Sequence, residues 1–80
     1  MNIGEATRQR ILELCRNRGI TVNKLSTLAG VTQSTLNNIV SGRNNSATVS
    51  TVKKICDGLE IGILEFFDNP LFENLEQEIK

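Results

Sequence analysis

Along residues 5–18 the apolar positions Ile11, Leu14 and Cys15 follow the i, i+3, i+4 spacing of a core-facing helix, with Leu12 at its margin and arginines on the other faces. Gly19 ends that pattern. Thr21 then offers an N-cap oxygen for a second helix over residues 22–28, whose buried stripe is Val22, Leu25 and either Leu28 or Ala29. Gly30 breaks it, and Thr32 caps a third helix reaching about Val40, with Leu36, Ile39 and Val40 facing inward and Ser41-Gly42 as its end. Residues 43–47 are polar and lack apolar periodicity. Thr48 caps a fourth helix in which Val49, Val52, Ile55, Cys56 and Leu59 make the core stripe, and Gly58 weakens its end. Gly62 opens a short fifth helix over residues 63–67, and Phe66 or Phe67 plugs the base of the bundle. Asp68-Asn69-Pro70 marks a boundary, because the residue before a proline is pushed out of helical space. Residues 71–80 are expected to form one more amphipathic helix, with Leu71, Phe72, Leu75 and Ile79 on one side. The pattern predicts an all-α fold: a five-helix domain over residues 1–68 followed by a short acidic, amphipathic helical tail over residues 69–80.

Eighty residues supply one hydrophobic core. A chain of this length buries only about 60% of its unfolded surface, which leaves little material for an enzyme cleft of ordinary depth. A binding module is therefore expected, with no small-molecule substrate and no cofactor. No window approaches the length of apolar sequence that spans a membrane, and Met1-Asn2-Ile3-Gly4 opens a helix where a secretory signal would place basic and apolar regions. The cytoplasm is the expected compartment. Cys15 and Cys56 stand far apart in a chain without histidine, so one copy cannot assemble a four-ligand zinc site or a Cys/His nucleophile pair. Both sit among apolar neighbours and are expected to be buried, reduced thiols.

Charge changes this picture. The formal net charge is zero, yet residues 1–56 carry Arg8, Arg10, Arg16, Arg18, Lys24, Arg43, Lys53 and Lys54 against only Glu5 and Glu13. Residues 57–80 carry Lys80 against Asp57, Glu60, Glu65, Asp68, Glu73, Glu76 and Glu78. Neutrality thus hides a basic part and an acidic part of equal and opposite charge. Such asymmetry points to an anionic partner for the basic end.

The turn at Ala29-Gly30-Val31 joins two short helices through a glycine able to take a positive φ, which is helix-turn-helix geometry. The stretch Thr21-Val22-Asn23-Lys24-Leu25-Ser26-Thr27-Leu28-Ala29-Gly30-Val31-Thr32-Gln33-Ser34-Thr35-Leu36-Asn37-Asn38-Ile39-Val40-Ser41-Gly42 resembles the helix-turn-helix of the phage-repressor-like family, also called the Cro or XRE family. The likeness runs on through Thr48-Val49-Ser50-Thr51-Val52-Lys53-Lys54-Ile55-Cys56 and residues 59–67, covering roughly residues 5–68. It implies a five-helix domain that binds double-stranded DNA as a homodimer on a partly symmetric site, one recognition helix per half-site. Two positions depart from the family's pattern. Val22 stands where members place a glutamine that braces a phosphate contact, and Ser26 replaces a small alanine at the helix crossing, adding a hydroxyl that needs a partner.

The face of the third helix not occupied by Leu36, Ile39 and Val40 carries Gln33, Ser34, Asn37 and Asn38, with Thr32 and Thr35 beside them and no charge among them. These side chains suit the major groove, since an amide pairs bidentately with adenine N6 and N7 and a hydroxyl reaches either kind of base edge. By resemblance, Gln33, Ser34 and Asn38 match the family's base readers, and Thr35, Ser41, Arg43, Asn44 and Asn45 its backbone contacts. Thr48 and the first amides of the fourth helix add a phosphate site through the helix dipole. The alternative of a different class is a protein-interaction module, such as an antitoxin or adaptor, with weak DNA binding. An enzyme has no supporting constellation of residues. The apolar side of the tail is expected either to pack back on the first and fifth helices or to form a two-fold contact, in both cases away from the recognition helix because its acids repel phosphate.

Overall fold

The computed structural model describes residues 1–42 and 47–79. Five helices follow one another, α1 (Ile3–Arg18), α2 (Val22–Ala29), α3 (Gln33–Val40), α4 (Val49–Leu59) and α5 (Ile63–Phe67), and a single 3-10 turn spans Pro70–Phe72. No strand occurs among the described residues.

The helix starts are set by side-chain caps. Asn2 opens α1 two residues earlier than the apolar spacing alone indicates. Its Oδ1 accepts the Glu5 N–H at 2.8 Å while its Nδ2 donates to Glu5 Oε1 at 3.0 Å, a reciprocal capping arrangement. Thr21, Thr32 and Thr48 each accept a backbone N–H three residues ahead, which satisfies one of the orphan donors at the starts of α2, α3 and α4. Gly19 and Gly30 end α1 and α2 in the left-handed conformation, at φ of 63° and 67°, which glycine adopts without Cβ strain.

One core joins all five helices: Ile11, Leu14 and Cys15 from α1, Leu25 and Ala29 from α2, Leu36 and Ile39 from α3, Val52, Ile55, Cys56 and Leu59 from α4, and Phe66 from α5. The two open alternatives are thereby resolved, with Ala29 inside and Leu28 outside, and with Phe66 inside while Phe67 stays partly exposed. Val22 and Val40 pack against the cluster without being fully covered.

Val49 departs from the expected stripe and is 78% exposed. It stands one turn before Val52, at the first position of α4, where the buried face has not yet begun. Gly58 does not loosen the end of α4 either, because the helix continues to Leu59 and is closed by Glu60 at φ 59°. Gly58 lies at a helix crossing. A Cβ there would fall 2.8 Å from the Leu28 carbonyl carbon and 2.9 Å from the Ala29 nitrogen, so the backbones of α2 and α4 touch at this point.

Arg10 is a further departure, for the arginines of α1 were expected on its outer faces and this one is buried. Its Nε donates to the Phe66 carbonyl at 2.7 Å and its Nη2 to the Glu65 carbonyl at 2.9 Å, satisfying the free end of the one-turn helix α5. Nη1 pairs with Glu13 at 2.6 Å, and the guanidinium lies 5.9 Å from the centroid of the Phe66 ring. Glu13 Oε1 also accepts from Asn69 Nδ2 at 2.9 Å, which ties the 3-10 turn into the same network.

Residues 71–79 do not form the amphipathic helix expected over residues 71–80. After the 3-10 turn, Asn74 takes a left-handed conformation (φ 57°) and residues 75–79 carry no helix. An isolated helix of about ten residues is marginal in water, and here other contacts win. The Phe72 ring joins Phe67 at 4.9 Å and Phe66 at 6.1 Å, the Glu76 N–H donates to the Met1 carbonyl at 3.2 Å, and the Glu76 carboxylate lies 3.4 Å from the N-terminal ammonium. The tail therefore folds back on its own chain, with Leu71, Phe72 and Leu75 half-buried and Ile79 exposed.

Candidate nucleic-acid interface

The turn between α2 and α3 holds the two helices at a fixed crossing. Gly30 in the left-handed region lets the Val31 N–H donate back to the Ser26 carbonyl at 3.1 Å. The extra hydroxyl of Ser26 finds its partner locally, donating to the Asn23 carbonyl at 2.7 Å, so a buried polar side chain sits at the crossing without an unmet hydrogen bond. Leu36 and Ile39 root α3 in the core. With its inner face fixed by those two anchors, the helix exposes Gln33, Ser34 and Asn37, while Asn38 is half-buried.

The predicted site residues fall into four groups. Gln33, Ser34, Asn37 and Asn38 share α3 and make no side-chain hydrogen bond to another described residue, leaving amide and hydroxyl groups open to an outside partner. Thr32 and Thr35 are engaged with each other. The Thr32 hydroxyl accepts the Thr35 N–H at 3.2 Å and donates to Thr35 Oγ1 at 2.8 Å, so the remaining free donor is the Thr35 hydroxyl. Ser41 caps the end of α3, is exposed, and donates to the Asn38 carbonyl at 3.3 Å. Arg43, Asn44 and Asn45 lie outside the described residues.

Thr48 and Thr51 repeat the Thr32/Thr35 arrangement at the start of α4, with a hydroxyl pair at 2.9 Å. Electrostatics separate these helices from the other two. The first turns of α2, α3 and α4 contain no acidic residue, whereas α1 and α5 place Glu5 and Glu65 in theirs. A helix start without an acid keeps its positive dipole end available to an external anion. The first turn after Thr21 shares this lack of an acid, a feature legible in the sequence. On α4, Lys53 pairs with Asp57, which raises the lysine's pKa, and Lys54 is exposed.

The two thiols stand apart from this surface. Cys15 and Cys56 are buried and unpaired, and burial pushes both above the usual thiol range. Among the described residues no group of three His, Cys, Asp or Glu side chains could hold a metal ion, and no helix is long and apolar enough to cross a membrane.

Five helices around one core, with a glycine turn presenting a short polar helix, define a helix-turn-helix protein. Residues 10–69 match the family of Cro/C1-type HTH DNA-binding domains, and the chain belongs to that family, whose members are DNA-binding regulatory domains. The chain is also similar to a solved structure, the crystal structure of the prophage Lp1 protein 11. The two share 36% identity and superpose with a TM-score of 0.81, over 94% of this chain and 100% of that one. No curated protein matches the sequence.

Proposed function

We propose that the protein is a sequence-specific transcriptional regulator that reads the DNA major groove with α3, two copies engaging a partly symmetric site. One observation carries this reading. Gln33, Ser34 and Asn37 form an uncharged, exposed row of amide and hydroxyl side chains with no hydrogen-bond partner among the described residues, on a helix whose opposite face is locked into the core. Gln33, Ser34 and Asn38 read base edges, with Asn37 alongside. Thr32, Thr35, Ser41, Arg43, Asn44 and Asn45, with the start of α4, hold the phosphate backbone and set the register.

The test is a fluorescence titration against a preferred duplex, selected from a random pool, and against a mixed-sequence duplex, at two salt concentrations. Gln33→Ala is expected to lose about 1 to 3 kcal/mol on the preferred duplex and little on the mixed one, because a base-edge contact is sequence information and a phosphate contact is not. Equal losses on both would remove Gln33 from the reading set. A chain that selects no duplex at all would be a protein-interaction module.

A further inference from the structure

The outer side of α1 carries features that binding through α3 does not use. A shallow groove there is lined by Arg8, Gln9, Leu12, Glu13 and Arg16 of α1 and by Leu71 of the 3-10 turn, with no residue of α2, α3 or α4 in its walls. Arg8, Leu12 and Arg16 follow one another at four-residue intervals and so share one side of the helix. Neither arginine forms an ion pair among the described residues, because both acids of α1 are engaged elsewhere. Glu5 Oε1 accepts from Asn2, and Glu13 Oε1 accepts from Arg10 and from Asn69. Leu12 and Leu71 are half-buried, which leaves apolar surface in the groove. A cation thus stands toward each end of the groove, with a leucine between them.

Charge and spacing together select the occupant. Four residues of helix advance about 6 Å, so Arg8 and Arg16 stand about 12 Å apart along the axis with Leu12 midway. In an extended peptide alternate side chains point the same way, and positions i, i+2 and i+4 lie about 6.6 Å and 13 Å apart. A peptide with an acid, an apolar residue and a second acid at those three positions therefore matches Arg8, Leu12 and Arg16 in order, in sign and in distance. A nucleic acid fits less well. Its phosphates make no use of the leucines, and a long polyanion continued past the groove meets the exposed Glu73, Glu76 and Glu78, held at the Met1 end of α1 by the contact between Glu76 and the N-terminal ammonium.

We propose that the groove is a docking site for an extended acidic segment of a different protein, one in which two acids flank an apolar residue at alternate positions. The acids pair with Arg8 and Arg16, and the apolar side chain lies against Leu12 and Leu71. Because α2, α3 and α4 contribute nothing to the groove, the segment leaves α3 uncovered, and a single chain can hold this partner and a DNA duplex together. The proposal does not depend on how α3 is used.

The test is a fluorescence-anisotropy titration of the full chain into a labelled synthetic peptide of glutamate, serine, leucine, serine and glutamate between glycine ends. The net charge of the chain is zero, so overall attraction does not drive binding, and a saturable signal reports a local site. Arg8→Glu and Arg16→Glu should each weaken binding about fivefold or more, with the helical circular dichroism unchanged, because attraction becomes repulsion. Replacing the peptide's leucine by serine should cost about as much, and it probes the same contact on unaltered protein. Lys54→Glu changes the net charge equally from α4 and should alter binding by less than about twofold. A titration without saturation up to about 1 mM overturns the proposal. So does a peptide indifferent to its leucine or to reversal of either arginine, or one weakened as much by Lys54→Glu. Displacement of the peptide by a mixed-sequence duplex would make the groove a phosphate surface and overturns it too. DNA affinity is a separate measurement, so failure here leaves the α3 reading standing.

Discussion

The corner where α1 meets α5 and the outer face of α3 both carry polar side chains, but they use them in opposite ways. At the corner, Arg10 satisfies the carbonyls of Glu65 and Phe66, Glu13 takes Arg10 and Asn69, and Glu76 closes onto Met1, so the polar groups are consumed within the fold. On α3 the backbone ends are satisfied by Thr32 and Ser41, and Gln33, Ser34 and Asn37 have no side-chain hydrogen bond to another described residue. The contrast teaches where to look for function in a small domain. Polar groups that complete the backbone's hydrogen bonding hold the structure, and those that complete nothing are available to a partner.

Breaking the corner should have the largest effect. Arg10→Met keeps the length of the side chain but orphans two carbonyls and leaves Glu13 without its cation, and is expected to lower unfolding free energy by about 2 to 4 kcal/mol in urea denaturation. A loss below about 0.5 kcal/mol would mean that α5 is held by Phe66 alone. Gly58→Ala probes the contact between α2 and α4. Although alanine favours a helix interior by about 1 kcal/mol, the new Cβ meets backbone and not a yielding side chain, so a net loss of about 1 to 3 kcal/mol is expected in thermal melting. A raised melting temperature would show that the two helices separate readily. The other side of the comparison is sharpened by Gln33→Ala, whose stability should change by no more than about 0.5 kcal/mol, since an exposed group without an internal partner contributes little to the fold. A larger loss would place Gln33 among the structural residues. The smallest effect concerns the thiols. Burial and a raised pKa keep Cys15 and Cys56 protonated at neutral pH, so a thiol reagent should label neither until the protein unfolds. Rapid labelling of the native chain would show that the core opens locally.

Much of the fold was legible because its signals are local. Threonine caps, left-handed glycines and the spacing of Leu36, Ile39 and Val40 act within a turn or two of chain, and the polar face of α3 follows from the same periodicity. What escaped depends on distant partners. Arg10 stands four residues from both Ala6 and Leu14, on the buried stripe itself. Its type argued for solvent, and only the position of α5 supplies the carbonyls that make burial favourable. Gly58 read as a weak helix end because its role exists only once α2 lies against it. Val49 continued a stripe past the point where the bundle stops covering it. The tail had helical spacing, yet Phe72 gains more from the Phe66 and Phe67 rings, and Glu76 from Met1, than a short helix offers. Of the candidate site, Gln33, Ser34 and Asn37 lie on the exposed face where periodicity put them and Asn38 is half-buried, whereas Arg43, Asn44 and Asn45 belong to a stretch without periodicity, outside the described residues.

The contact at Gly58 has a mechanical consequence. Where two helices are separated by side chains, rotamer changes can absorb a small displacement of one before the other feels it. Here main chain rests on main chain, and that cushion is missing. A displacement of α4 at this point therefore meets the backbone of α2 directly, and α2 leads through the tight Gly30 turn to α3. Amides around Leu28 and Gly58 are therefore expected to exchange their hydrogens only when the whole domain unfolds.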